Sequence, residues 1–158
     1  MTKWALVTGA SAGIGKEFCE QLAARGDNVV LVARRADRLE ELKAHLEKRY
    51  RVHAEVLAAD LANADDLKRV AERVAQASDP IEVLVNNAGF GLKTAFLDTD
   101  VEKEIASVDV MVKAVVVLSH AAGRAMRERG TTAALVAFYG AVALIAAITL
   151  GMPFTHPF

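Results

Sequence analysis

Thr8-Gly9-Ala10-Ser11-Ala12-Gly13-Ile14-Gly15 follows directly on the apolar run Trp4-Ala5-Leu6-Val7 and opens a stretch with helical spacing at Ile14, Phe18 and Leu22. A strand that breaks on glycines and passes straight into a helix is a seat for a pyrophosphate. The backbone N–H groups of a first helical turn have no intrahelical partner, and the helix dipole favours negative charge there. Gly9 allows the tight turn, Gly13 lets a ligand approach the backbone, and Gly15 lets helix and strand pack closely. The spacing predicts a helix that buries Ile14, Phe18 and Leu22, turns Lys16, Glu20 and Arg25 to water, and stops at Gly26.

Working outward, Val29-Val30-Leu31-Val32-Ala33 is an unbroken apolar run, which suits a parallel strand covered on both faces. Asp37-Arg38-Leu39-Glu40 has capping-box spacing, and a helix is expected to run on from it through Leu42 and Leu46. Val52–Leu57 alternates as a third strand ending at Asp60-Leu61. Asn63 then caps a helix with Asp65 and Asp66 in its first turn and Leu67, Val70 and Val74 on one face. Ile81–Val85 reads as a fourth strand that closes on Asn86-Asn87-Ala88-Gly89. Thr99-Asp100-Val101-Glu102 is a second capping box, opening a helical stretch to about Arg129 with Val101, Ile105, Val108, Val112 and Val115 at helical spacing. Strand and helix alternate with short connections over residues 1–130. That is the pattern of an α/β fold with a doubly wound parallel sheet, Rossmann-like and incomplete on its C-terminal side.

In such sheets ligands sit beyond the carboxyl ends of the strands, where Gly9, Arg34, Asp60 and Asn87 gather. The end of the second strand selects the nucleotide. A carboxylate there would accept from a ribose 2′-hydroxyl and repel a 2′-phosphate. This chain has Ala33-Arg34-Arg35 instead, and guanidinium binds phosphate through a planar, charge-assisted fork. The residues therefore point to NADP(H), with Arg34 on the 2′-phosphate. Asp60 has a second reading as a turn residue, and Asn87 a second reading as a tie between two strands.

Composition narrows the partners. Formal net charge is −1 over 158 residues and no basic block occurs, so nucleic acid is not an expected partner. One cysteine, Cys19, excludes an internal disulfide, and with no secretory leader expected the chain reads as cytoplasmic. All 39 charged residues lie within positions 1–130, and residues 131–158 contain none. Three readings fit that tail. Thr131–Met152, 22 uncharged residues, would reach ~33 Å as a helix, enough to cross a ~30 Å hydrocarbon core. A fifth strand around Ala134–Phe138 with apolar residues covering the sheet edge is the second reading. The third is a tail foreign to the rest of the chain. His45, His53, His120 and His156 have no metal-ligand spacing.

At these residues the chain resembles the short-chain dehydrogenase/reductase family. Thr8–Gly15 is similar to its cofactor loop, with Gly9, Ser11, Gly13, Ile14 and Gly15 as contacts, and Asp60-Leu61 to its adenine-contacting pair. Asn86-Asn87-Ala88-Gly89 resembles its fourth-strand motif, bringing Asn87, Ala88 and Gly89 to the site, and Arg34 stands at its NADP-selecting position. The resemblance implies a Rossmann sheet, a nicotinamide dinucleotide as partner and hydride transfer between NADP(H) and a carbonyl or alcohol. It also implies a homo-oligomer contact along the 100–129 helix. The family's catalytic Asn, Ser and Tyr-x-x-x-Lys have no match. Met111 stands where the resemblance implies asparagine, and no serine follows Ser119. Four residues after Tyr50 and Tyr139 come Ala54 and Ala143. No catalytic residue is assigned, and impaired turnover is the expectation for the chain as it stands. The alternative is a non-catalytic nucleotide-binding or interaction module, membrane-tethered if the tail spans.

Overall fold

The apolar run 29–32 is fully buried, and its side chains alternate between two separate clusters. Val30 and Val32 join Leu6, Leu67, Val70, Val74, Leu84 and Leu118 on one side. Val29 and Leu31 join Val7, Cys19, Leu22, Leu39 and Leu46 on the other. A strand with no polar face needs helices on both sides, and that is the architecture found. The structure is a computed structural model that describes residues 3–92, 95–130 and the backbone of 135–138.

Along the chain come β1 (Trp4–Thr8), α1 (Gly13–Ala24), β2 (Asn28–Ala33), α2 (Ala36–Tyr50), β3 (Ala54–Ala58) and α3 (Ala64–Ala75). β4 (Ile81–Asn86), α4 (Val101–Val108), α5 (Ala114–Glu128) and β5 (Leu135–Phe138) follow. The sheet order is β3-β2-β1-β4-β5, and every pairing is parallel. The order reverses beside β1, so β1 and β4 diverge into helices on opposite faces and leave a crevice at their carboxyl ends.

Several local expectations shift. Ile14 is 62% exposed, and the buried face of α1 is Gly15, Cys19, Leu22 and Ala23. The first turn projects past the end of the sheet, so a residue in phase with the core stripe meets nothing there. α2 starts at Ala36, two residues early for its box, with Arg35 as a cap whose side chain makes no capping bond. Asp37 sits in the first turn, where its carboxylate still faces the positive end of the dipole. α4, in contrast, starts one residue late for its box: Asp100 is the cap position and pairs with Lys103 at 2.8 Å. Asn63 does cap α3, its side-chain oxygen accepting from the N–H groups of Asp65 and Asp66.

A π-helical turn, Asp109–Lys113, joins α4 to α5. The face laid on the sheet and α3 carries Val110, Ala114, Leu118, Ala122, Ala125 and Met126. Small side chains there let the helix lie close. The stripe that the sequence marks out is the outer one instead, with Val101 61%, Ile105 55% and Val108 54% exposed. By length and composition the helical run Val101–Glu128 is apolar enough to cross a membrane, although its inner face is committed to the core. Leu135–Phe138 pairs with β4, with Leu84 opposite Val136. A continuous helix over 131–152 is therefore not what these four residues form. The remainder of 131–158 lies outside the described residues.

Candidate functional site

Thr8, the last residue of β1, ties the crevice together. Its hydroxyl accepts from the N–H groups of Asn87 at 2.9 Å and Ala88 at 3.0 Å, and donates to the carbonyl of Val85 at 3.3 Å. One donor and two lone pairs are thereby all used. The Asn87 amide donates back to the carbonyls of Thr8 at 3.1 Å and Gly9 at 3.4 Å. Asn87 therefore makes the strand-to-strand tie that its second reading describes.

The glycines divide the work on top of this lock. Gly9 has φ +69°, and a Cβ on it would stand 2.8 Å from the Asn87 amide nitrogen and 2.9 Å from Ala88 Cα. A Cβ on Gly15 would land on the Gly9 carbonyl oxygen and 2.5 Å from the same amide. Gly13 differs. Its φ is +56°, yet nothing lies within 4 Å of where its Cβ would be. That space faces the start of α1, whose cap residue Ala12 brings no side chain to the turn. The first N–H to return into the helix is that of Lys16, to Ala12 at 3.4 Å. The preceding N–H groups are left for an anion or solvent.

A cleft of about 220 Å³ opens beside this turn. Its walls are Gly9, Ser11 and Ala12, the segments 33–35 and 59–61 after β2 and β3, the segment 88–90 after β4, and Val110 from the π turn. Of the sequence-derived site residues, Gly9, Ser11, Arg34, Asp60, Leu61, Ala88 and Gly89 meet here. Gly13, Ile14, Gly15 and Asn87 do not line it. Arg34 is exposed, its guanidinium carbon 6.0 Å from the centre of the Phe90 ring. Arg35 donates to the Ser11 hydroxyl at 3.4 Å. The Asp60 carboxylate accepts from the N–H of Ala62 at 3.1 Å, and its own N–H donates to Asp66 at 2.7 Å. Arg69 beside Asp66, aided by that N–H, holds the Asp66 carboxyl below the usual carboxylate range.

Sequence reasoning gave the phosphate to Arg34 alone of the pair and left out Phe90 and Val110. Arg35 was visible as the second half of a basic pair. Phe90 follows a recognisable motif but carries no polar group to draw the eye. Val110 comes from a helix with no motif and reaches the cleft through the fold alone. The neighbouring Met111 does not line the cleft but lies beside Gly89, its Cγ and Sδ 3.4 and 3.5 Å from where a Cβ on that glycine would be. Ser119 accepts from the Asn86 amide at 3.1 Å and so anchors α5 to β4. Cys19 is sealed in the core, where burial, with Glu20 nearby, pushes its thiol up to about 12.

The profile of the short chain dehydrogenase family matches residues 3–145, which carries the match into the uncharged segment. Very-long-chain 3-oxoacyl-CoA reductases of Debaryomyces hansenii and Meyerozyma guilliermondii are 42% identical over 108 residues and 45% identical over 109. Each alignment covers 67% of this chain and 31% of the relative, so the chain spans about a third of the curated relatives it matches. Among solved structures, the short-chain dehydrogenase from Sphingobium yanoikuyae in complex with NADPH superposes with a TM-score of 0.78 at 35% identity. The overlap covers 82% of this chain and 50% of that one. The bulky-bulky ketone specific alcohol dehydrogenase from Comamonas testosteroni gives 0.78 at 34% identity over 81% and 51%. Fold, glycine turn, fourth-strand motif and profile agree: the chain belongs to the short-chain dehydrogenase/reductase family of oxidoreductases, which bind nicotinamide cofactors.

Proposed function

We propose that these residues form the NADP(H)-holding part of an oxidoreductase that moves hydride between NADP(H) and a carbonyl or alcohol. The observation that carries the reading is the paired guanidinium groups of Arg34 and Arg35 on the rim of a cleft whose floor is a glycine turn at a helix start. The segment Ala33-Arg34-Arg35-Ala36 holds no carboxylate to repel a 2′-phosphate. The solved relative from Sphingobium yanoikuyae, a complex with NADPH, supports the same choice.

Each group has a part in that reading. The open backbone at Gly13 and the uncapped N–H groups of α1 take the pyrophosphate. Arg34, and Arg35 braced on Ser11, take the 2′-phosphate. Asp60, Leu61, Ala88 and Gly89 surround the adenosine half. Gly15 and Asn87 act from behind, by holding the turn in place, and Ile14 contributes its first-turn N–H rather than its side chain. The bound dinucleotide supplies the hydride. The 158 residues contain no Tyr-x-x-x-Lys to protonate a carbonyl oxygen, and loss of general acid catalysis typically costs about 10²–10⁴-fold. Binding without efficient turnover is therefore the expected behaviour of this chain. The exposed apolar face of α4 and α5 supports self-association along the 100–129 helix.

Titrating NADPH fluorescence against the purified chain tests the assignment. Saturable NADPH binding, weaker NADH binding and loss of both in Gly13→Asp are expected. A folded chain that ignores both nucleotides at millimolar concentration would remove the reading. Turnover of aldehydes or ketones above the Gly13→Asp background would overturn the statement about catalysis.

A further inference from the structure

Phe90 has a place in the cleft and no partner in the reading above. Its ring is half-buried against the cluster that contains Leu61 and Val110. Its other side looks across the cleft to Arg34, which reaches over the ring from the far wall with 6.0 Å between guanidinium carbon and ring centre. The two groups come from different strand ends, β2 and β4, with β1 between them. They face each other because the fold brings them there, not because they are neighbours in sequence.

The separation is informative. Carbon atoms in direct contact lie about 3.5–4.0 Å apart, and a cation on a ring weakens towards about 6 Å. Arg34 and Phe90 thus stand at the outer limit of a cation–ring contact, short of close packing. They fall about 1 Å short of the roughly 7 Å that one flat ring between them would need. Both are flat, polarisable groups of the kind that bases stack on. Leu61, Ala88, Gly89 and Val110 line the same cleft.

We infer that Arg34 and Phe90 are the two plates of a purine clamp, between which the adenine ring of the dinucleotide is stacked. This rests on the proposal that the cleft takes NADP(H). Arg34 then has two duties, its flat face on the base and its N–H groups on the 2′-phosphate. Phe90 has one, and it is a purely stacking one. Phe90, held from behind by the core, is the fixed plate; Arg34, exposed on the rim, is the one that moves aside by about an ångström.

The test uses the full chain with NADPH and with 2′,5′-ADP, the adenine half alone, by fluorescence and calorimetry. Replacing Phe90→Leu removes the π face and keeps an apolar side chain against the core. Stacking on one aromatic corresponds to about a 5- to 30-fold loss in affinity. The same loss is expected for both ligands, with Phe90→Trp restoring binding and melting temperatures unchanged across the set. Wild-type affinity for NADPH in Phe90→Leu overturns the clamp and leaves the proposed function standing. A loss for NADPH but not for 2′,5′-ADP also overturns it, because Phe90 would then act on the nicotinamide half. If the wild-type chain binds neither ligand, the proposed function fails and the clamp fails with it.

Discussion

The floor and the rim of the cleft are made of different material. At the floor, where β1 turns into α1 against β4, everything that touches is backbone or a side chain bonded to backbone. Thr8 holds Asn87 and Ala88, Asn87 holds Thr8 and Gly9, and Gly15 stands where no further atom fits. At the rim, beyond β2, Arg34 and Arg35 are exposed side chains, and a single bond at 3.4 Å joins Arg35 to Ser11. A floor of this kind has one conformation, shared by the fold and the ligand site, so a change there damages both. A rim of this kind can change its ligand preference without disturbing the sheet.

The largest effect should come from the floor. Gly15→Ala places a methyl group on the Gly9 carbonyl oxygen and 2.5 Å from the Asn87 amide, and the Gly9 backbone on one side and an amide held by two carbonyls on the other leave it no way out. Overpacking of this kind costs about 1–3 kcal/mol and sometimes more, and NADPH binding should go with it. An unchanged urea midpoint with intact binding would break the distinction between floor and rim. Next comes Thr8→Val, which keeps the shape and removes the acceptor for two N–H groups at a residue only 1% exposed. An unsatisfied buried group costs about 1–3 kcal/mol, so a loss of roughly 2 kcal/mol is expected in urea unfolding. Thr8→Ser should recover most of it by keeping the hydroxyl.

The contrast also explains what could be read from the sequence. Runs such as 29–32 are legible because a strand covered on both faces has no polar residue to confuse the pattern. Asn63 is legible because its side chain meets the backbone two and three residues on, a purely local event. The floor is legible because glycines leave few alternatives. Ile14 misled because periodicity says which way a side chain points, not whether the sheet still extends beneath it. The outer valines of α4 misled for a different reason: the buried face runs through Val110, Ala114, Leu118 and Ala122, and spacing alone does not rank two apolar stripes on one helical run. Phe90 and Val110 join the cleft only through the crossover of the chain, which local pattern does not encode.

At the rim, Arg34→Ala should leave the urea midpoint within about 0.5 kcal/mol of wild type, as surface changes usually do. It should weaken NADPH by roughly 1.5–3 kcal/mol, about ten- to hundredfold. Arg35→Ala should also favour NADH over NADPH relative to wild type, because Ser11 would lose its partner and the phosphate one fork. Equal NADPH affinity in both variants would mean that the two arginines are merely solvated, and the rim would lose its role in nucleotide choice.

The smallest effect tests the core behind the floor, where Cys19 packs against the β1 and β2 side chains. Its thiol titrates near 9.0 when unperturbed and is pushed up to about 12 by burial. Between those values the folded chain keeps the proton and the unfolded chain releases it. The unfolded state then binds fewer protons, so stability falls as pH rises. The contribution is fully present below pH 9 and declines above it, by at most about 1.4 kcal/mol per pH unit. Urea unfolding of wild type and Cys19→Ala at pH 8 and pH 10 should therefore show the wild type losing about 1 kcal/mol relative to the variant. A difference that stays constant with pH would mean that the thiol reaches water in the folded state, and that α1 is not sealed onto the sheet beneath the glycine turn.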